Sequence, residues 1–243
     1  MAHAEHASDK EYYFPHGSRL PFFGSLSLFI LMAGAAATLN GTAIGGWVLG
    51  LGFVLLFTLF FLWFGEVIRE NQAGLYNEQV DRSFRMGMMW FIFSEVMFFA
   101  AFFGALFYMR IVSVPDLGSL ESQALVWPGF KPGWPVSGPG ITEQFTPMGA
   151  MGIPLLNTII LLSSGFTLTV AHHALKAGHR GALKLWLFAT IVLGFTFLGF
   201  QVYEYVHAYT ALNLKLSTGV YGSTFFMLTG FHGAHVTIGA IML

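Results

Sequence analysis

Apolar residues gather into six long runs along this chain, at about 22–39, 46–68, 86–112, 153–175, 183–208 and 222–243. A hydrocarbon core about 30 Å thick is crossed by about 20 residues of helix, so each run is long enough to span a bilayer. The connections are short or polar, apart from about 113–152, which holds Pro115, Pro128, Pro132, Pro135, Pro139 and Pro147. Proline cannot continue a helix interior, so this stretch reads as a loop outside the membrane, ordered against a partner. The pattern predicts an all-α fold, a polytopic bundle of six membrane helices. Its parts are a polar N-terminal segment (1–21), two spans (22–68), a connecting loop (69–85) and the remaining bundle (86–243). No internal repeat or second domain is visible.

Lys and Arg positions orient the bundle. Lys10, Arg19, Arg69, Arg82, Arg85, Lys176, Arg180 and Lys184 fall on one side, and Arg110, Lys131 and Lys215 on the other. The first side is therefore expected to be cytoplasmic (or matrix), with the N-terminus there. That N-terminus has no basic region followed by a short apolar core, so no cleavable signal is read. The sixth run stops at Leu243 with no polar flank, and the chain is expected to be cut short of the rest of its membrane region.

Composition narrows the function. Charged residues make up 9% of the chain and hydrophobic ones 55%, too few charges to cover a water-soluble globule. A net charge of −1 with scattered Lys and Arg gives no basic patch for nucleic acid. The absence of cysteine excludes disulfides and thiolate chemistry. Nucleophile elbows, Walker loops and dinucleotide fingerprints are missing.

The chemistry rests on polar groups placed within the spans. Glu95 lies ten residues past Arg85, about 15 Å along a helix and near mid-bilayer, between Phe91, Ile92, Phe98 and Phe99. A charge there is costly, so an intramembrane acid points to a proton relay, a metal ligand, a specificity contact, or a neutral acid bonded to a neighbouring helix. His232 and His235 share a face of the sixth span and read as helix bridges among Gly230, Gly233 and Gly239, with metal ligation as the alternative. Glu204 and His207 form a single Glu-x-x-His, where di-iron bundles use two. Asn157, near the start of the fourth run, joins these bridging groups. Arg69 and Arg85 sit at the same ends of spans two and three. They are either interfacial anchors or a clamp on a lipid phosphate, with Trp63 and Phe64 against the acyl chains. On the residues alone, a proton-coupled transporter using Glu95 ranks first. A membrane di-iron oxidase using Glu95, Glu204, His207, His232 and His235 is its rival.

Several strings resemble one family. Glu66-Val-Ile-Arg-Glu70, Arg85-Met-Gly-Met88 and Phe93-Ser-Glu-Val-Met-Phe-Phe99 are similar to the second and third helices of cytochrome oxidase subunit III. So are Ile153-Pro-Leu-Leu-Asn-Thr158, Leu162-Ser-Ser-Gly165 and Ala171-His-His-Ala-Leu175, and Gly219-Val-Tyr-Gly-Ser-Thr-Phe-Phe226 running into Gly230-Phe-His-Gly-Ala-His235. The resemblance runs from about Phe14 to Leu243 and reverses the ranking above. It implies a seven-helix fold with a cleft holding phospholipid, and a non-catalytic subunit of a proton-pumping oxidase that passes electrons from cytochrome c to O₂. It further implies that Arg69 and Arg85 meet the lipid phosphate, and that Glu95 is the family's buried carboxylate, which binds no metal. The chain would carry no catalytic residue and no cofactor beyond structural phospholipid. Haem and copper would lie in subunit I, a direct partner, and copper in subunit II. The implied setting is a bacterial inner membrane, with the mitochondrial inner membrane as the alternative. Two departures stand out: the family's last helix, with its Trp-His-Phe-Val-Asp signature, is absent, and loop 71–80 has no histidine. A five-helix quinol-oxidase variant fits less well, because both 22–39 and 46–68 are present.

Overall fold

The computed structural model describes residues 17–141 and 143–243, and most of the N-terminal segment 1–21 lies outside them. In order come α1 (Leu20–Leu39), α2 (Gly45–Gln72), α3 (Glu78–Tyr108), a π-helical turn (Met109–Ser113), α4 (Val114–Leu117), α5 (Leu120–Leu125), α6 (Ile153–Lys176), α7 (Arg180–Thr210) and α8 (Val220–Met242). Among the described residues, six helices are long and apolar enough to cross a membrane. Their large apolar side chains face outward, with Phe61 and Trp47 82% and 83% exposed within the chain, which suits a surface covered by lipid or by another apolar surface rather than by water.

The helices outrun the apolar runs that predict them. The connection expected over 69–85 narrows to five non-helical residues, 73–77, because the polar stretches on both sides stay helical. At the start of α3, Glu78 and Asp81 favour the helix N-terminus, and Arg82 and Arg85 pair back to them at i,i+4. At its other end α3 continues through the π turn into α4, where Pro115 falls in the first turn and needs no backbone donor.

The chain divides into two compact units, Met1–Phe93 and Ser94–Leu243, with the boundary inside α3. In the first, α1 and α2 meet backbone to backbone. A Cβ on Gly34 would lie 2.3 Å from the Leu49 nitrogen, and one on Gly52 would lie 2.5 Å from Leu31 Cα. Glycine is what allows this approach, the usual basis of close helix pairing in lipid.

In the second unit α6 packs on α7 and α7 on α8. The Pro-rich stretch 113–152 is ordered against this unit's own α7–α8 connection. Ser137 O accepts from Val220 N at 2.9 Å, Val136 O accepts from Tyr221 N at 3.3 Å, and Leu212 O accepts from Thr146 N at 3.0 Å. Trp134 and Phe145 pack on Tyr221 with ring centroids 5.6 and 5.2 Å away. Ala208, Leu214 and Phe226 form the buried core beneath. Gly219 is the hinge of this cap: its φ is +94°, and a Cβ there would collide with Ser137 O at 1.9 Å.

Candidate functional site

Three places gather the polar residues singled out above. The first is Glu95. From α3 its carboxylate oxygen Oε2 meets His235 Nε2 of α8 at 2.5 Å. The other ring nitrogen, Nδ1, lies 2.6 Å from Phe231 O, one turn back on α8. A carbonyl only accepts, so Nδ1 carries a proton and Nε2 must share one with Glu95. The pair therefore holds one proton on the Nε2–Oε2 line, as acid and imidazole or as carboxylate and imidazolium. Either form is net neutral, the arrangement that a low-dielectric setting tolerates best. Phe98 and Phe99 flank the imidazole at 5.8 and 5.2 Å, and Phe231 closes on Phe98 at 5.1 Å.

His232 does not join that pair. Residues three apart on a helix are offset by roughly 60°, enough to face different neighbours. Its ring stands edge-on to Phe197 of α7, with centroids 5.7 Å apart. It lines a cavity of about 550 Å³ between α6, α7 and α8, together with Asn157, Gln201 and Glu204. Asn157 spans from α6 to α7 by a long 3.5 Å bond from its Nδ2 to Phe197 O. Tyr205 and Thr229 join α7 to α8 through their hydroxyls at 2.7 Å. Asn157 Oδ1 and Glu204 Oε1 are buried without a hydrogen-bond partner. An orphaned acceptor of this kind costs about 1–3 kcal/mol. His207 is on the exposed side of α7, away from this cavity.

The third place belongs to the first unit. Arg69 forms an ion pair with Glu66 on its own helix, and Arg85 pairs with Asp81 at 2.9 Å. Both guanidinium groups stay largely exposed, at 74% and 78% of their side chains. Trp63 and Phe64 are exposed on α2, the ring of the latter tilted against that of Phe60 with centroids 6.4 Å apart. A recess of about 330 Å³ lies where α2 turns into α3, walled by Val67, Asn71, Tyr76, Asp81 and Phe84. Tyr76 donates to Glu70 at 2.6 Å beside it.

The five acids and histidines weighed as a di-iron set are thus dispersed: Glu95 with His235, Glu204 with His232 across the cavity, and His207 apart. Among the described residues, no three His, Asp or Glu side chains gather as a metal site would require. Reading the sequence misses Gln201, Tyr205 and Thr229. Their signal was available, since polar residues recur at i,i+3 beside Glu204 (Gln201) and His232 (Thr229).

Comparison with known proteins then gives one consistent answer. The family model described as cytochrome c oxidase subunit III matches residues 10–243. Among curated proteins, cytochrome c oxidase subunit 3 of Chondrus crispus is 38% identical over 224 residues, covering 92% of this chain and 74% of that protein. The protein of the same name from Marchantia polymorpha is 38% identical over 224 residues, covering 92% and 76%. That from Rattus norvegicus is 37% identical over 246 residues, covering 100% of this chain and 82% of its own length.

Proposed function

The chain belongs to the cytochrome c oxidase subunit III family, and from that premise we propose that it is a supporting subunit that stabilises subunit I, holds phospholipid and assists proton uptake. As a member of this family it is a subunit of cytochrome c oxidase, and its six apolar helices make it a multi-pass membrane protein. In the proposed complex, haem and copper belong to subunit I and further copper to subunit II, and cytochrome c is the electron donor. The setting is an energy-conserving inner membrane, a bacterial plasma membrane or the mitochondrial one, with the Arg69, Arg85 and Lys176 ends on the cytoplasmic or matrix side.

The observation that carries the reading is the Glu95–His235 contact. It places a single proton between α3 and α8 on two part-exposed side chains, with the His235 ring held by the Phe231 carbonyl and flanked by Phe98 and Phe99. Within such a pair the proton can pass between Oε2 and Nε2 with no change in net charge, whereas gain of a second proton or loss of this one changes the charge of the pair by one unit. At the other site, Arg69 and Arg85 each already hold a carboxylate. A lipid phosphate would therefore join existing ion pairs, as charge-assisted networks often do.

The deciding experiment is a reduced-minus-oxidised visible spectrum, with metal and subunit content, of whatever co-purifies with this chain in mild detergent. Haem and copper arriving with partner subunits, and lost when the chain is stripped away, support the reading. A lone chain carrying its own iron would favour the di-iron oxidase. A colourless chain with no partner would favour the transporter. For the lipid, replacing both Arg69 and Arg85 with Ala should remove a tightly bound phospholipid from the mass spectrum of the complex, and unchanged lipid content would sink that part.

A further inference from the structure

We propose that the cavity between α6, α7 and α8 holds a cluster of ordered water molecules, anchored on Asn157 Oδ1 and Glu204 Oε1 and extending to His232. The case starts from a balance of donors and acceptors. Asn157 is 4% exposed, and its Nδ2 is turned to Phe197 O, which fixes Oδ1 as the free atom of the amide. Glu204 Oε1 is buried and unpartnered in the same wall. Both atoms accept hydrogen bonds, so something must donate.

The neighbouring hydroxyls cannot. Thr158 gives its proton to Pro154 O at 3.0 Å, and Thr229 gives its own to Phe225 O at 2.7 Å. With Thr229 committed as a donor, the 2.7 Å contact with Tyr205 needs the tyrosine proton. Three hydroxyls line the cavity and all three are spent. The other donors in the wall, the Gln201 amide and the His232 ring, bond to neither oxygen, so the donors must be molecules held in the cavity, which runs from α6–α8 to Met148, Gly149 and Ala150 of the extramembrane stretch. Water supplies two donors per molecule in little space. At about 30 Å³ each, several molecules fit a chamber of this size, with Gln201 and His232 as further partners. The apolar part of the wall, including Leu161 and Leu162, confines the cluster to the polar side, which Phe197 borders beside Asn157. This site is separate from the Glu95–His235 pair and does not depend on the role proposed for that pair.

Radiolytic hydroxyl labelling in ¹⁸O-water tests it on the chain in its native membrane, solubilised with whatever partners it retains. Side chains touching bound water take up ¹⁸O from it even where bulk solvent cannot reach. Phe197 is 5% exposed and lines the cavity. Phe226 is 8% exposed, does not line it, and serves as the internal reference. Labelling of Phe197 at about fivefold or more that of Phe226 is expected. Equal labelling means a cavity that is dry, or filled by an acyl chain or a lipid amine headgroup, and overturns the proposal. Asn157→Leu should bring Phe197 down to the level of Phe226, whereas Glu204→Gln, which keeps an acceptor in place, should not. Persistent labelling in Asn157→Leu would remove Asn157 as an anchor and overturn the site as drawn. The unsubstituted ratio still decides the matter if that variant fails to assemble.

Discussion

The α1–α2 hairpin and the α6–α8 bundle solve the same problem by different means. Helices in lipid gain nothing from hiding apolar surface from one another, so they associate through close packing or through hydrogen bonds. The hairpin uses the first. Gly34, Gly45 and Gly52 let the two backbones touch, and the nearest atoms to their missing side chains are main-chain atoms of the facing helix. The bundle uses the second. Thr167 and Thr190 share a bond of 2.8 Å between α6 and α7, and Tyr205 and Thr229 do the same between α7 and α8. Glycine contact leaves no room for a ligand or a titrating group. Polar bridges hold helices slightly apart, and the gap between them is where the cavity lies. The Glu95–His235 contact and the Asn157–Glu204 cavity lie among helices joined by polar bridges, not in the glycine-packed hairpin.

Substitutions of graded severity would break or sharpen this contrast. The largest effect is expected from Gly52→Leu, which drives a side chain into the Leu31 backbone that cannot yield. The cost should reach or exceed the upper end of about 1–3 kcal/mol, seen as loss of folded chain in detergent. If the variant accumulates normally, the hairpin is not held as described. Next comes Glu95→Leu, which leaves His235 Nε2 without its partner and should cost about 1–3 kcal/mol in thermal unfolding of the purified protein. Glu95→Gln keeps a polar partner at that position, so it should preserve assembly and initial turnover. A Gln variant that fails to assemble would show that the charge, rather than the bond, holds α3 to α8. Thr190→Val removes one interhelical bond and should cost about 0.6 kcal/mol, measured by the same unfolding. The smallest effect belongs to Gly46→Ala on α2. No atom lies within 4 Å of a Cβ there, and stability should move by no more than about 0.5 kcal/mol. A large loss at Gly46 would mean that glycine matters here for something other than contact.

How far the sequence leads depends on the distance over which each feature is decided. Spans are local, and hydropathy finds all six. Their ends are less so: the start of α3 is charged, and a window that scores apolarity stops short of Glu78 although the i,i+4 pairs keep the helix going. The stretch 113–152 reads as a loop because of its prolines. That it folds onto Tyr221 and Leu212 of its own chain is invisible, since those partners are more than sixty residues away. Glu95 and His235 are each recognisable as polar groups near mid-membrane, but their meeting across 140 residues requires knowing which helices are neighbours. Shared periodicity places His232 and His235 on one face. The structure divides that face between two neighbours, a distinction finer than periodicity resolves.

The separation between Glu95 and His235 also has a meaning in time. Synthesis proceeds at about 5–20 residues per second, so α3 is in the membrane on the order of ten seconds before His235 exists. Throughout that interval Glu95 is without the His235 imidazole it meets in the finished chain. The cell inserts an acid into lipid on its own, and only the arrival of α8 gives it a mate. α8 is thus the clasp that closes over a commitment made much earlier in the birth of the chain.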